Sequence, residues 1–347
     1  MLYVRITGGI GNQLFQIASA MSFFFSTGTP FRFYIVQGVT HRTFDWPRLA
    51  SFVVHTLPPN LRVYKEPSFT YTPWPPTLQQ GDWDVQGYFQ SSCYFSEHTD
   101  KILAWIFGRD PDTGGRPDVD TNNNKHHKQP GTIGMHFRMG DYVRLPHCHP
   151  VLPLAYYQHA LEHIGSSTTA KVVWYCDPQD RAHVWSTFVE PLSKQYTMVE
   201  AKHSDDHLWS MAMCHDHLVI ANSTFSWWAA YLSRARVYYP SRWFGKHLAS
   251  KNKLDTLFPP TRSWTRIDCL TENKYTFLGF YDDKPIRKLF AKKLSGIGNQ
   301  RILVCGPVIK ENNLATVRRA RQTHDLCILV IFEPIQHIST YHWTCRL

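Results

Sequence analysis

No block of consecutive basic residues occurs in this chain of 347 residues, and its apolar runs are short; Met21 to Phe25, the nearest to a candidate, falls far below a membrane span. Lys and Arg nevertheless number 37 against 27 Asp and Glu, a formal charge of +10 that favours an anionic partner. Because the basic residues are scattered through every segment, nucleic acid is not the expected partner, and no integral membrane segment is expected. The eight cysteines stand far apart, without the close pairs of a zinc site or a disulfide scaffold, so reduced, mostly buried thiols are expected. With Leu2-Tyr3-Val4-Arg5-Ile6 opening the chain on a strand-like run, the expected location is cytoplasmic. No Asp-x-Asp closes a strand-like run either. Asp110-Pro111-Asp112 and Asp118-Val119-Asp120 both lie in a polar, breaker-rich stretch, which argues against a dedicated Mg²⁺ or Mn²⁺ site.

What is present is a 43% hydrophobic content, enough for substantial cores, arranged in an alternation of strand and helix patterns. Strands are expected at Leu2–Ile6, Phe31–Val36, Val85–Phe89, Thr132–Phe137, Lys171–Cys176, His217–Ala221 and Val237–Tyr239. Helical spacing follows at Leu14 to Met21, Tyr156 to Ile164, Asp206 to Cys214 and Phe225 to Leu232, while proline-rich Pro67 to Pro76 reads as an irregular crossing. This alternation implies α/β architecture with parallel, doubly wound sheets, whose ligands bind beyond the carboxyl ends of the strands. Three segments are expected: residues 1–130, an N-terminal lobe ending in the polar linker Asp110 to Gly131; residues 131–272, a Rossmann-like lobe; and residues 273–347, an α/β extension with strand patterns at Phe277–Phe280, Ile302–Val308 and Leu326–Phe332 around a basic helix pattern. Gly296 to Gln300 echoes Gly9 to Gln13, but no other motif accompanies the copy, and it reads as chance.

Three constellations carry chemistry. Gly8-Gly9-Ile10-Gly11-Asn12-Gln13 lies where a strand hands over to a helix, and its glycines and unpaired amides suit an anion; tight strand–helix packing alone also accounts for them. In His136-Phe137-Arg138-Met139-Gly140-Asp141-Tyr142, residues two apart on a strand share a face, so His136 and Arg138 project together. Arg138 can fork onto phosphate oxygens, or merely pair with Asp141 to fasten the turn. Asn222-Ser223-Thr224-Phe225-Ser226-Trp227-Trp228 is a second strand-to-helix turn, whose hydroxyls can cap a phosphate or only the helix.

Taken in order with Gly87-Tyr88-Phe89-Gln90-Ser91 and Pro240-Ser241-Arg242-Trp243-Phe244, these motifs resemble the α-1,2-fucosyltransferase family, from the first residues to about Leu270. The resemblance implies two Rossmann-like lobes of GT-B type around a central cleft and an inverting, metal-free transfer of fucose from GDP-fucose to a galactose-containing glycan. Transfer to another acceptor, or a non-catalytic nucleotide-sugar-binding homologue, is the alternative. It implies that Arg138 contacts the β-phosphate, that His136 lies near the guanine, and that Thr224 and Ser226, with Asn222 and Ser223 beside them, hold the phosphate from the helix side. Gly9, Gly11 and Asn12 would face the donor from the other lobe. An acidic pair that contributes to base recognition in the family is represented by Asp177, followed here by Pro178. An inverting transfer also needs a base for the acceptor proton; Asp141 and His149 are the candidates.

Overall fold

Residues 1–36, 46–107, 131–165, 170–201, 207–213, 215–259, 262 and 264–269, with three strands of the C-terminal segment, are described by the computed structural model of the chain. By internal contact the chain divides into Met1–Cys269 and Leu270–Leu347.

The first unit holds two wholly parallel sheets. In the first, β1 (Leu2–Ile6), β2 (Phe31–Ile35), β3 (Val53–Val54), β4 (Arg62–Lys65) and β5 (Trp83–Gln86) lie in the order β3-β2-β1-β5-β4. Alternation in β1 sends Leu2, Val4 and Ile6 into the core. Between β1 and β2 runs α1 (Ile10–Thr27), capped by Gly9 in extended conformation and ended by Gly28 at φ 72, the left-handed stop that glycine adopts without a Cβ penalty. Its residues from Leu14 to Phe23 are buried all round, which fits a helix packed on more than one side. Helix α2 (Thr99–Phe107) closes this half.

The second sheet comprises β6 (Thr132–His136), β7 (Lys171–Tyr175), β8 (Thr197–Glu200), β9 (His217–Val219), β10 (Arg236–Pro240) and β11 (Thr265–Ile267), in the order β11-β10-β9-β6-β7-β8. The chain starts in the middle at β6, builds outward to β8, then returns to β9 on the other side of β6. This is the doubly wound Rossmann order, with its reversal between β6 and β9. Helix α3 (Leu154–Ile164), the short α4 (Arg181–Val184) and α5 (Glu190–Ser193), α6 (His207–Met213), α7 (Thr224–Leu232) and α8 (Lys246–Ala249) complete the unit. Among the described residues no helix is long and apolar enough to cross a membrane.

One aromatic cluster joins the two halves. Phe15 of α1 packs on Trp227 and Trp228 of α7 at ring distances of 4.5 and 5.1 Å, and Phe95 stacks on Trp228 at 5.1 Å. Such offset and tilted ring pairs add to the burial of large apolar area. At its centre the helices touch backbone to backbone: a Cβ on Gly11 would stand 2.4 Å from the Thr224 carbonyl carbon and 2.5 Å from the Phe225 nitrogen. The Trp228 indole N–H donates to the Gly11 carbonyl at 3.0 Å.

Several expectations are corrected. The strand placed at Val85–Phe89 is Trp83–Gln86, because the Glu66 carboxylate accepts from the Tyr88 and Phe89 amides, at 2.9 and 3.0 Å, and Phe89 turns to φ 52. Strands β3, β4, β8 and β11 and helix α2 carried no legible signal; β4 reads Arg-Val-Tyr-Lys and is mostly exposed. Cys176 is buried and Cys93, Cys148 and Cys269 are half-buried, all four being free thiols. The C-terminal strands β12 (Tyr275–Phe280), β13 (Arg301–Cys305) and β14 (Leu329–Ile331) form a parallel sheet in that order. The polar linker before Gly131, the basic helix pattern and the echo at Gly296 lie outside the described residues.

Gly11→Ala is expected to destabilise the chain by about 1–3 kcal/mol, because the new methyl meets backbone that cannot rotate away. Gly9→Ala, with open space around its Cβ and φ −79, should leave the melting temperature near that of the parent. Thermal unfolding of the two variants side by side checks the contrast.

Candidate functional site

In an open α/β sheet the ligand crevice lies at the carboxyl ends of the strands where the winding reverses. In the second sheet that point falls between β6 and β9, and two of the three motifs leave the sheet there: Arg138 just after β6, Asn222 to Thr224 just after β9.

Arg138 is the hub of the first. Its Nη2 donates to Asp141 Oδ1 at 2.7 Å, its Nη1 pairs with Asp177, and its guanidinium lies over the Tyr142 ring at 5.2 Å. Burial works against the charge, but Asp177, Tyr142 and Asp141 outweigh it and hold the guanidinium above its ordinary pKa. Gly140 at φ 51 supplies the left-handed step that folds Asp141 back onto Arg138. Asp141 is 45% exposed and Asp177 19%, so the two carboxylates hold the cation from a wet side and a drier one.

The second motif is built by its neighbours. Asn222, almost fully buried, donates from Nδ2 to the carbonyls of Pro150 and Trp243 at 2.9 and 3.0 Å. Ser226 donates only within its own turn, to Ala221 and Ser223 carbonyls at 3.1 Å each. Both side chains, expected at the phosphate, brace the turn from inside. Ser223 caps α7 through its backbone carbonyl, bonded by the Trp227 amide at 2.9 Å, without a side-chain cap bond. Thr224 donates to Asn12 Oδ1 at 2.9 Å, and Gln90 Nε2 donates to the same oxygen at 3.0 Å. The starts of α1 and α7 therefore meet, with Asn12 between them. Gly11 serves that approach, and Gly9 sits at the open start of α1.

His136 shares the face of Arg138 but lies below it, buried, with its ring 5.8 Å from that of Phe225. Burial, reinforced by Arg138 and His207, lowers its pKa to about 3, so the ring is neutral, and Nδ1 has no hydrogen-bond partner. A buried polar atom left unpaired calls for an explanation. His149 stacks on Tyr142 at 4.9 Å, and burial, with Arg138, lowers its pKa against the pull of Asp141. Asp180 was missed in the sequence. The turn Pro178–Asp180, closed by the Asp180 amide on the Asp177 carbonyl at 2.9 Å, brings it beside Gly140, where burial raises its pKa and Oδ2 has no hydrogen-bond partner. Proline at the first position of that turn was the available signal. Among the described residues no group of three or more His, Cys, Asp or Glu is placed to hold a metal ion.

Residues 83–240, which hold the Arg138 loop and the α7 turn, match the model of glycosyl transferase family 11. Over that segment the chain is similar to glycosyl transferase family 11. The chain is 28% identical over 178 residues to the O-antigen biosynthesis glycosyltransferase WbnK of Escherichia coli, covering 49% of the chain and 58% of the relative. It is 23% identical over 198 residues to an α-1,2-colitosyltransferase of the same organism, covering 54% and 64%. The alignments thus span less than two thirds of each relative. The crystal structure of the fucosyltransferase NodZ from Bradyrhizobium aligns at 15% identity and a TM-score of 0.33, over 67% of this chain and 93% of that one. A score so low carries no argument about substrate or linkage.

Two histidines buried among the described residues, His136 and His215, give the chain a pH signature. His136 lies at about 3 and His215, buried between Thr132 and Tyr175, at about 4, both below the ordinary 6.5. The unfolded chain therefore binds more protons in that window, and stability falls as pH drops through the ordinary value. The limiting slope is about 1.4 kcal/mol per pH unit for each ring. Denaturant unfolding between about pH 7 and about pH 5 should show the decline, and His136→Leu should flatten it. A parent profile that is level over this range contradicts neutral burial.

Proposed function

We propose that this chain is an inverting fucosyltransferase that moves fucose from GDP-fucose to a hydroxyl of a galactose-type acceptor in α-1,2 linkage, without a bound metal. The observation that carries the reading is Arg138 at the reversal point of the second sheet, beside the joined starts of α1 and α7. The family match supports sugar transfer, and the α-1,2 linkage named for one relative supports the linkage.

In this reading the bond between the anomeric carbon and the β-phosphate oxygen breaks as the acceptor oxygen attacks from the opposite face. The diphosphate then gains negative charge, and preorganised donors aimed at it lower the barrier. Arg138 supplies a fork, and the first amides of α7, at Thr224 and Phe225, supply the helix-start donors. When the diphosphate takes the Nη2 side of Arg138, Asp141 is released and becomes free to accept the acceptor proton; His149, neutral and close, is the other candidate. The guanine edge offers N–H donors, for which Asp177 and the unpartnered Oδ2 of Asp180 are suitable acceptors. The orphan Nδ1 of His136 supports its expected place near the same base.

Arg138→Ala is a poor test, because it strands the half-buried Asp177 carboxylate and destabilises the protein for that reason alone. Arg138→Lys keeps the charge and loses the planar fork. It should lower turnover by at least about 10²-fold with little change in melting temperature. Nucleotide release should be seen with GDP-fucose and simple galactosides, not with GDP-mannose or UDP-sugars, and should survive a chelator. Activity lost to the chelator and restored by metal overturns the metal-free part of the reading.

A further inference from the structure

The first sheet has a reversal point of its own. Its chain begins at β1, winds outward through β2 to β3, and returns on the other side of β1 with β5 as the neighbour. The rule that locates a ligand crevice between β6 and β9 therefore locates a second one between the carboxyl ends of β1 and β5. The loops leaving those two strands are Thr7 to Gly9 and Gly87 to Gln90. Buried Gln16 ties them together: its Oε1 accepts from the Thr7 amide at 3.0 Å, while its Nε2 donates to Thr7 Oγ1 at 3.1 Å and to the Gly87 carbonyl at 2.9 Å.

The second loop is held in a conformation that a bulky residue rarely adopts. Phe89 has φ 52, in the left-handed region, while its ring is fully buried and stacks on Trp74 at 4.8 Å. Backbone strain of this kind persists only where surrounding contacts over-determine it, and it gathers at ligand sites. Here the contacts are Glu66, which accepts from both the Tyr88 and Phe89 amides, and Gly87, where a Cβ would meet Glu66 Cβ at 2.5 Å. Tyr94 donates to the other Glu66 oxygen at 3.4 Å. Anchored before and after, the loop leaves one large side chain outside: Tyr88, 45% exposed. Two residues on, Gln90 bonds Asn12, which bonds Thr224 at the start of α7, so the loop that carries the exposed ring is tied to the candidate donor site.

We propose that Tyr88 is an acceptor-binding platform, on which the apolar face of a β-galactoside stacks. The class of ligand follows from the ring. An exposed aromatic with a rigid mount binds a surface that is flat, apolar on one side and polar at its rim. Galactopyranose, whose axial O4 leaves the C3, C4 and C5 hydrogens contiguous on one face, is such a surface. This assignment rests on the fucosyltransferase reading for the identity of the site, and it names the residue that selects the acceptor.

The test has one arm that needs no donor. Saturation-transfer NMR with methyl β-galactoside should show contact at the C3, C4 and C5 protons of the parent protein. The signal should be lost in Tyr88→Ala and kept in Tyr88→Trp. No contact with the parent, or equal contact with Tyr88→Ala, overturns the proposal. In the kinetic arm, Tyr88→Ala should raise the galactoside KM by about tenfold or more, leaving the GDP-fucose KM and acceptor-free nucleotide release unchanged, with Tyr88→Phe close to the parent. A parent that binds galactoside but releases no nucleotide from GDP-fucose defeats the donor reading and leaves the platform standing. A Tyr88→Ala enzyme with unaltered galactoside KM defeats the platform alone.

Discussion

Everything in the first unit depends on two helices meeting without a side chain between them. Gly11 lets α1 lie on the backbone of the first turn of α7, and the Trp228 indole locks the approach by bonding the Gly11 carbonyl. Around that contact, Phe15, Phe95, Trp227 and Trp228 form a core that belongs to neither sheet alone. The consequence is electrostatic as much as steric. Two helix starts, each with unpaired N–H groups and a partial positive charge, are brought to one place. Such an arrangement is self-repelling without acceptors, and Asn12 Oδ1, taking bonds from Thr224 and Gln90 at once, is the acceptor at the junction.

That junction explains why the motifs occur where they do. Each sheet is doubly wound, and each reverses at its first strand: β1 beside β5, β6 beside β9. The glycine turn follows β1 and the Tyr88 loop follows β5, while the Arg138 loop follows β6 and the α7 turn follows β9. Four segments far apart in sequence thus leave the sheets at their two reversal points, and the α1–α7 contact brings the two points together. Three of the positive-φ positions, Gly8, Phe89 and Gly140, fall in the same places.

The same geometry sets how far the sequence could be read. The strand at Leu2 was legible from its alternation ahead of a glycine pair, that at Thr132 from its run into Arg138-Met139-Gly140-Asp141, and that at Lys171 from Val172-Val173-Trp174-Tyr175 ahead of Asp177-Pro178. Strands β4 and β8 were not, since edge strands bury little and their patterns are polar. The site residues divide in the same way. Arg138 and Asp141 could be inferred from their position at a strand end, but the inward turning of Asn222 and Ser226 depends on Pro150, Trp243 and the shape of one turn. Asp180 and Glu66 act through chain reversals that bring them to partners elsewhere, Asp180 to Gly140 and Glu66 to Tyr88 and Phe89. No local pattern announces such contacts.

The pairing of Arg138 with two unequal carboxylates decides how the proposed donor enters. Exposed ion pairs contribute little, because water solvates both charges and the side chains lose entropy in holding one geometry. Asp141 is in that position, nearly half exposed, whereas Asp177 is mostly withdrawn from water and would be left as an uncompensated charge if its partner were taken away. In the proposed reading, a diphosphate arriving at the guanidinium would therefore displace Asp141 and keep Asp177. The cation would stay oriented by its drier partner while its wet side is handed to the phosphate. Asp141, so displaced, would stay tethered three residues from Arg138, in the short turn that begins at Gly140. An arginine paired on both sides by buried carboxylates would hold its shape but yield neither side, and one paired on neither would lose orientation before the donor arrived.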